Sequence, residues 1–242
     1  MVSVNFTMLY FFSNLAIDHF NILMDRFDKL LSYLYPISLE TTESEYNQFL
    51  EVVYRDGKYQ LNSANANYSF GGLYDLFNLI FRQFTIDWEN TKDILILGFG
   101  AGCTVPLIRQ YNSTCKIVGV EIDGKVLELG RKYFGIDSYE NTSIVCDSAL
   151  NYVSGTGSKF DLAIIDVFID LNVPSEIESK EFLFALKSIL NPDGLVIFNK
   201  LIPTKSYKKQ IPNLKNLYSE VFGNVKVLNI MKTGSIFFAR RG

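Results

Sequence analysis

Asp93-Ile-Leu-Ile-Leu-Gly-Phe-Gly-Ala-Gly102 is the stretch whose reading decides the fold. The apolar run Ile94 to Leu97 suits a strand buried on both faces, and the alternate glycines Gly98, Gly100 and Gly102 end it abruptly. Glycines at such a turn accept positive φ and admit a ligand to the main chain where a Cβ would stand in the way. The helix expected to open near Thr104 turns its N-terminal amides toward the same spot. A cradle for a nucleotide-type ligand is the expectation. A second apolar strand, read over 115–120, delivers Glu121 at its C-terminal end, where an acid accepts hydrogen bonds from ribose hydroxyls.

Outward from that pair, strands and helices alternate. Strands are expected over 93–97, 115–120, 142–146, 160–165 and 194–199, with Val126, Leu127, Gly130, Tyr133 and Phe134 sharing one helix face behind Asp123 as N-cap. Such alternation implies a parallel sheet covered on both sides. A further helix is read after Pro174, with Ser175 and Glu178 at capping-box spacing, running through Phe182, Leu186, Ile189 and Leu190 to an Asn191-Pro192-Asp193-Gly194 turn. The last two strands, 225–231 and 235–239, are separated only by Lys232-Thr233-Gly234, too few residues for a crossover helix, so they must pair antiparallel.

Upstream, Arg55-Asp56-Gly57 joins the two arms of a hairpin within residues 50–62. A polar stretch over 62–70 and Gly71-Gly72 then lead into an apolar helix over 73–84. The expected organisation is a helical N-terminal extension over 1–47, a hairpin and lid region over 48–90 and an α/β domain over 91–242.

The 242 residues are 48% hydrophobic and 20% charged, with a net charge of -3 and no basic stripe, which disfavours nucleic acid and points to a small-molecule partner. Cys103, Cys115 and Cys146 lack ligand spacing and read as small core residues in a reducing, cytoplasmic setting; no metal site is expected. His19 is the sole histidine, so acid–base work falls to carboxylates, tyrosines or lysines. Residues 1–23 contain no Lys or Arg and are interrupted by Asp18, which fits neither a signal peptide nor a membrane span. Translation is expected to start at Met24, residues 1–23 being otherwise an amphipathic helix.

Ile94-Leu-Ile-Leu-Gly-Phe-Gly-Ala-Gly102, Val118-Gly-Val-Glu-Ile-Asp123, Cys146-Asp-Ser-Ala149, Phe160-Asp-Leu-Ala-Ile-Ile-Asp166 and Leu190-Asn-Pro-Asp-Gly-Leu-Val-Ile-Phe198 resemble, in order and spacing, the spermidine synthase family. That family lies within the class I S-adenosylmethionine-dependent methyltransferase superfamily. The resemblance implies a Rossmann-like, mostly parallel seven-stranded sheet with a C-terminal antiparallel hairpin and a small N-terminal β-hairpin appendage. It also implies S-adenosylmethionine or its decarboxylated form as cofactor. Gly98, Gly100 and Gly102 would face the methionine-derived part, Glu121 the ribose and Ile122 the adenine ring. Asp147, with Ser148 beside it, would take the exocyclic amine, and Asp166 would face the reacting centre. Gln60, Asn65, Asn67 and Tyr68 suit a lid over the acceptor, with Asp170 as a further acceptor contact. A homodimer is compatible with the resemblance.

The chain departs from that family at three places. Aminopropyltransferases carry an Asp in the glycine loop, here Ala101; a Tyr-His pair after the hairpin, here Tyr68-Ser69-Phe70; and Asp-Ser-Ser-Asp, here Asp166-Val-Phe-Ile-Asp170. A polyamine site needs several correctly spaced carboxylates, and Ala101 removes a charge that would repel the intact donor's carboxylate. Methyl transfer to a small acceptor is therefore the first expectation. Aminopropyl transfer is the alternative, and a non-catalytic nucleoside-binding module a third. For Glu121 and Asp147, helix N-capping is a competing role.

Overall fold

A small antiparallel sheet precedes a large mixed one in the computed structural model, which describes residues 29–202, 204–230 and 234–242. The expectations for residues 1–23, Met24 and the Lys232-Thr233 turn lie outside those residues. In the small sheet, β1 (Ile37–Thr42), β2 (Leu50–Arg55), β3 (Lys58–Ser63) and β4 (Asn67–Ser69) run in that spatial order. Asp56 and Gly57 both take positive φ, 52° and 70°, as a two-residue turn matched to strand twist requires.

The hairpin is thus the centre of a four-stranded meander. Two expectations are corrected. Residues 37–42 are a strand rather than part of a helical extension, and the polar stretch after the hairpin contributes a strand of its own. A bulge between Ser38 and Glu40 breaks the alternation in β1, and β4 is only three residues long, so neither carries a clear period-two signal. Helix α1 (Gly72–Gln83) follows, burying Leu73, Phe77, Ile80 and Phe81.

The large sheet has the order β10-β11-β9-β8-β5-β6-β7. Strands β5 (Asp93–Leu97), β6 (Lys116–Glu121), β7 (Thr142–Cys146), β8 (Phe160–Ile165) and β9 (Leu190–Leu201) are parallel, while β11 (Gly234–Arg240) pairs antiparallel with both β9 and β10 (Val225–Ile230). This is the expected Rossmann-like arrangement. On β5, Ile94 and Ile96 face one apolar layer and Leu95 and Leu97 the other, which is why the strand reads as an unbroken apolar run. Because β5 pairs with β6 on one side and β8 on the other, the chain order reverses there, and a crevice opens beyond the C-terminal ends of these strands.

Helices α2 (Thr104–Tyr111), α3 (Gly124–Leu129), α4 (Ala149–Gly155), α5 (Lys180–Ser188), α6 (Lys205–Lys208) and α7 (Ile211–Phe222) complete the described elements named here. Asp123 caps α3 as expected, accepting from the amides of Lys125 and Val126. The helix read after Pro174 is corrected: Ser175–Glu178 is a separate 3₁₀ turn, and Ser179, in extended backbone, caps α5 by accepting from the Phe182 amide. Asn191-Pro192-Asp193-Gly194 does not end a helix. It bulges within β9, between the pairings of Leu190 with Phe160 and of Leu195 with Leu162. Cys103 and Cys115 are buried, but Cys146 is exposed, against the core reading. Among the described residues, no helix is long and apolar enough to cross a membrane.

Candidate active site

Glu121 ends β6 and is 3% exposed. Its Oε2 accepts the Gly100 amide at 2.8 Å and its Oε1 the Asp123 amide at 3.1 Å. Burial pushes its carboxyl up to about 7 against the opposing pull of these amides. Asp166 follows β8, 7% exposed; its amide donates to the Leu97 carbonyl at 2.8 Å and its Oδ1 accepts from Asn199 Nδ2 at 2.8 Å. Burial raises this carboxyl to about 7 too; the Asn199 hydrogen bond opposes the rise, and Glu121 adds to it.

The glycine turn holds the two acids together. At Gly98, with φ 80°, a Cβ would lie 2.2 Å from the Asp166 carbonyl oxygen, so only glycine lets β5 turn past the end of β8. Gly100 presents its amide to Glu121, and a Cβ there would come within 3.2 Å of the Tyr68 carbonyl oxygen. Gly102 belongs to a different environment: a Cβ would meet Tyr139 at 2.8 Å, and the residue does not line the crevice. The third glycine packs against Tyr139 and Phe99, apart from the crevice that Gly98 and Gly100 line.

Gly98, Gly100, Glu121, Ile122, Asp147 and Ser148 share the crevice, and Asp166 and Tyr68 join them. Capping at these strand ends falls to Asp123 and Ser148, whose Oγ accepts the Asn151 amide at 3.1 Å, and not to Glu121 or Asp147. Tyr68 is buried, and its hydroxyl donates to the Phe168 carbonyl at 3.2 Å. Burial holds this phenol far above its ordinary range, hence neutral.

Four expected contacts, those of Gln60, Asn65, Asn67 and Asp170, lie elsewhere. Gln60 packs on Gly71 in a separate cavity walled by Phe70, Tyr74, Tyr133 and Phe134, because Leu61 and Ser63 take the buried face of β3 and turn Gln60 to the other. Asn67 accepts the Leu73 amide at 3.2 Å, at the start of α1. Asp170 accepts from Ser63 Oγ at 2.9 Å and from the Asn65 amide and Nδ2 at 2.9 and 2.8 Å. Partial burial would raise its carboxyl, but these hydrogen bonds outweigh that and hold it below the usual range. It fastens the 63–66 turn, while its neighbour Ile169 lines the crevice. Asp170→Ala is expected to lower stability by about 1 kcal/mol by leaving those donors without their partner, with donor affinity unchanged by calorimetry. A loss confined to turnover would return Asp170 to the acceptor site.

Sequence reading missed Asn199 and Ser69, whose Oγ accepts the Ala101 amide at 3.2 Å. A polar residue directly after the apolar run Val196 to Phe198 was the available signal for Asn199. Ala101 itself is fully buried, in one cluster with Leu50, Val52, Leu61 and Tyr68, and does not line the crevice.

The raised acids give a pH signature. Both bind protons more tightly folded, near 7, than at their ordinary 4.5 and 3.8. The stabilisation this gives is complete below those ordinary values, is lost as pH rises through 7, and stays flat above. The denaturation midpoint is expected to fall as the pH rises from about 4.5 to about 7.5. The double variant Glu121→Gln with Asp166→Asn should remove that slope; an unchanged slope would put the titrating groups elsewhere.

A model of the spermine/spermidine synthase domain matches residues 80–232. A probable polyamine aminopropyl transferase from Bifidobacterium longum (strain NCC 2705) is 28% identical over 140 residues, 58% of this chain and 31% of that protein. The polyamine aminopropyltransferase of Saccharolobus solfataricus is 32% identical over 138 residues, 54% of this chain and 46% of the relative. The chain thus spans less than half the length of these curated relatives. Among solved structures, spermidine synthase in complex with the transition-state analogue AdoDATO aligns with a TM-score of 0.62 at 22% identity, over 85% of this chain and 74% of that one. Human methyltransferase-like protein 13 in complex with SAH aligns with a TM-score of 0.56 at 24% identity, over 64% and 74% respectively. Both structures share the fold.

Proposed function

We propose, for a chain that belongs to the spermine/spermidine synthase domain family, that it transfers the aminopropyl group of decarboxylated S-adenosylmethionine to an amine. One observation carries this reading beyond the family. The crevice is lined by four carboxylates, Glu121, Asp147, Asp166 and Glu176, and by no Lys, Arg or His among the described residues. Such a site attracts a cationic sulfonium donor and a cationic amine, and it disfavours a donor that carries its own carboxylate.

The residues fit the roles. Glu121, fixed by two amides, is placed to accept from ribose hydroxyls; Ile122 offers an apolar side chain for adenine, and Asp147 beside Ser148 an acceptor for its amine. Asp166, oriented by Asn199, holds the acceptor nitrogen and takes its proton. The nitrogen lone pair then forms the new C–N bond as the C–S bond breaks, with the electron pair leaving on sulfur. The protein's contribution is near-attack geometry in a partly dry site.

Methyl transfer ranks second, since its main support was Ala101 and that side chain is interior. A homodimer and a cytoplasmic setting stand as further parts of the proposal. The test is chromatography of methylthioadenosine released from the decarboxylated donor with primary amines. Its appearance with the matching N-aminopropyl amine is expected. S-adenosylhomocysteine from the intact donor would favour methyl transfer, and donor bound without either product would favour a non-catalytic module.

A further inference from the structure

We infer that the acceptor carries one cationic nitrogen, the reacting one, on an apolar chain: a monoamine rather than a diamine or longer polyamine. This rests on the proposed aminopropyl transfer and adds the substrate class. Of the crevice carboxylates, Glu121 ends β6 and Asp147 immediately precedes Ser148, the cap of α4, while Glu176 lies on the 3₁₀ turn that packs on α4. Asp147 and Glu176 belong to the side where the nucleoside would lie, and Glu121, fixed by the Gly100 and Asp123 amides, would be taken by the ribose. Asp166 alone remains at the end of β8.

Beside Asp166, the fully buried Asn199 donates through Nδ2 and leaves its Oδ1 with no hydrogen-bond partner. Asn199 lies behind Asp166 and does not line the crevice, so the Asp166 carboxylate by itself is the seat for one ammonium. Past that seat the wall turns apolar: Val167, Phe168 and Ile169 line it, with Tyr68 neutral and its hydroxyl already donating to Phe168. The next carboxylate along the chain, Asp170, is held outside by Ser63 and Asn65. A second ammonium would be buried against Phe168 and Ile169 without a counter-charge from the described residues, whereas an alkyl tail gains by burial there.

The test compares n-butylamine with 1,4-diaminobutane as acceptors, read as methylthioadenosine release, in the full chain and in Ile169→Asp. The wild-type chain is expected to favour the monoamine by about tenfold or more in kcat/KM, and Ile169→Asp to reverse the order. Preference for the diamine by the wild-type chain would overturn the inference, as would Ile169→Asp leaving the order unchanged in a folded, donor-binding variant. Should neither amine be turned over, the proposed transfer fails. The inference is then read from calorimetric binding of the two amines to protein saturated with methylthioadenosine: tighter monoamine binding upholds it, tighter diamine binding or no amine binding overturns it.

Discussion

Asp166→Asn is expected to lower the rate of aminopropyl transfer by about 10²- to 10⁴-fold while leaving donor affinity within about threefold. The substitution keeps the shape of the side chain and an oxygen to accept from Asn199 Nδ2, so the end of β8 stays in place. It removes the anion that, in the proposed reaction, orients the ammonium and receives its proton. Because burial raises the Asp166 carboxyl to about 7, the wild-type rate should climb with pH through that region until the acid is ionised. A bound sulfonium would shift this limb downward by favouring the carboxylate. The residual rate of the variant should lack the limb. Activity within threefold of wild type would reduce Asp166 to a residue that merely ends a strand.

Glu121→Gln carries the second large effect, on binding rather than turnover. Both carboxylate oxygens are occupied by backbone amides, from Gly100 and Asp123, and a glutamine keeps only one acceptor oxygen for those two donors. The variant must leave one amide unsatisfied and also loses the charge that would strengthen the proposed contacts to ribose hydroxyls. A hydrogen bond to a charged group is worth about 1.5–3 kcal/mol, so the donor dissociation constant should rise about 10- to 100-fold by calorimetry. Asp147→Ala, at the more open edge of the site, should cost less. Unchanged affinity in Glu121→Gln would mean that the acid serves only to brace the glycine turn.

The parts of this molecule that were legible in the sequence are those where one local signal dominates. Ile94 to Leu97 and Phe160 to Ile165 are buried on both faces, and each is followed by residues that line the crevice, so strand and site were read together. Asp56-Gly57 and Asp123 worked for the same reason, since turn and cap chemistry is local. Where direction is set by tertiary packing, reading failed. Gly102 looks like its two neighbours but is walled in by Tyr139 and Phe99; Gln60 is turned by the burial of Leu61; Asp170 is captured by Ser63 and Asn65, far away in sequence. Ser175 mimicked a cap because nothing local announces that the chain straightens at Ser179. Asn191-Pro192-Asp193-Gly194 has turn composition yet is carried through β9 by pairing on both sides of it.

The charge inventory of the crevice became visible only with the fold, and it reverses the order of the two candidate reactions. From the sequence, Ala101 and the displaced second acid argued for a methyl donor. In three dimensions Ala101 is withdrawn, four carboxylates from separate segments converge, and no cation among the described residues is available to receive the carboxylate of intact S-adenosylmethionine. Calorimetric titration of the chain with the decarboxylated and the intact donor in parallel tests this most directly. Binding of the decarboxylated form at least about tenfold tighter is the expected result. Tighter binding of the intact form would contradict the account and restore methyl transfer as the reaction.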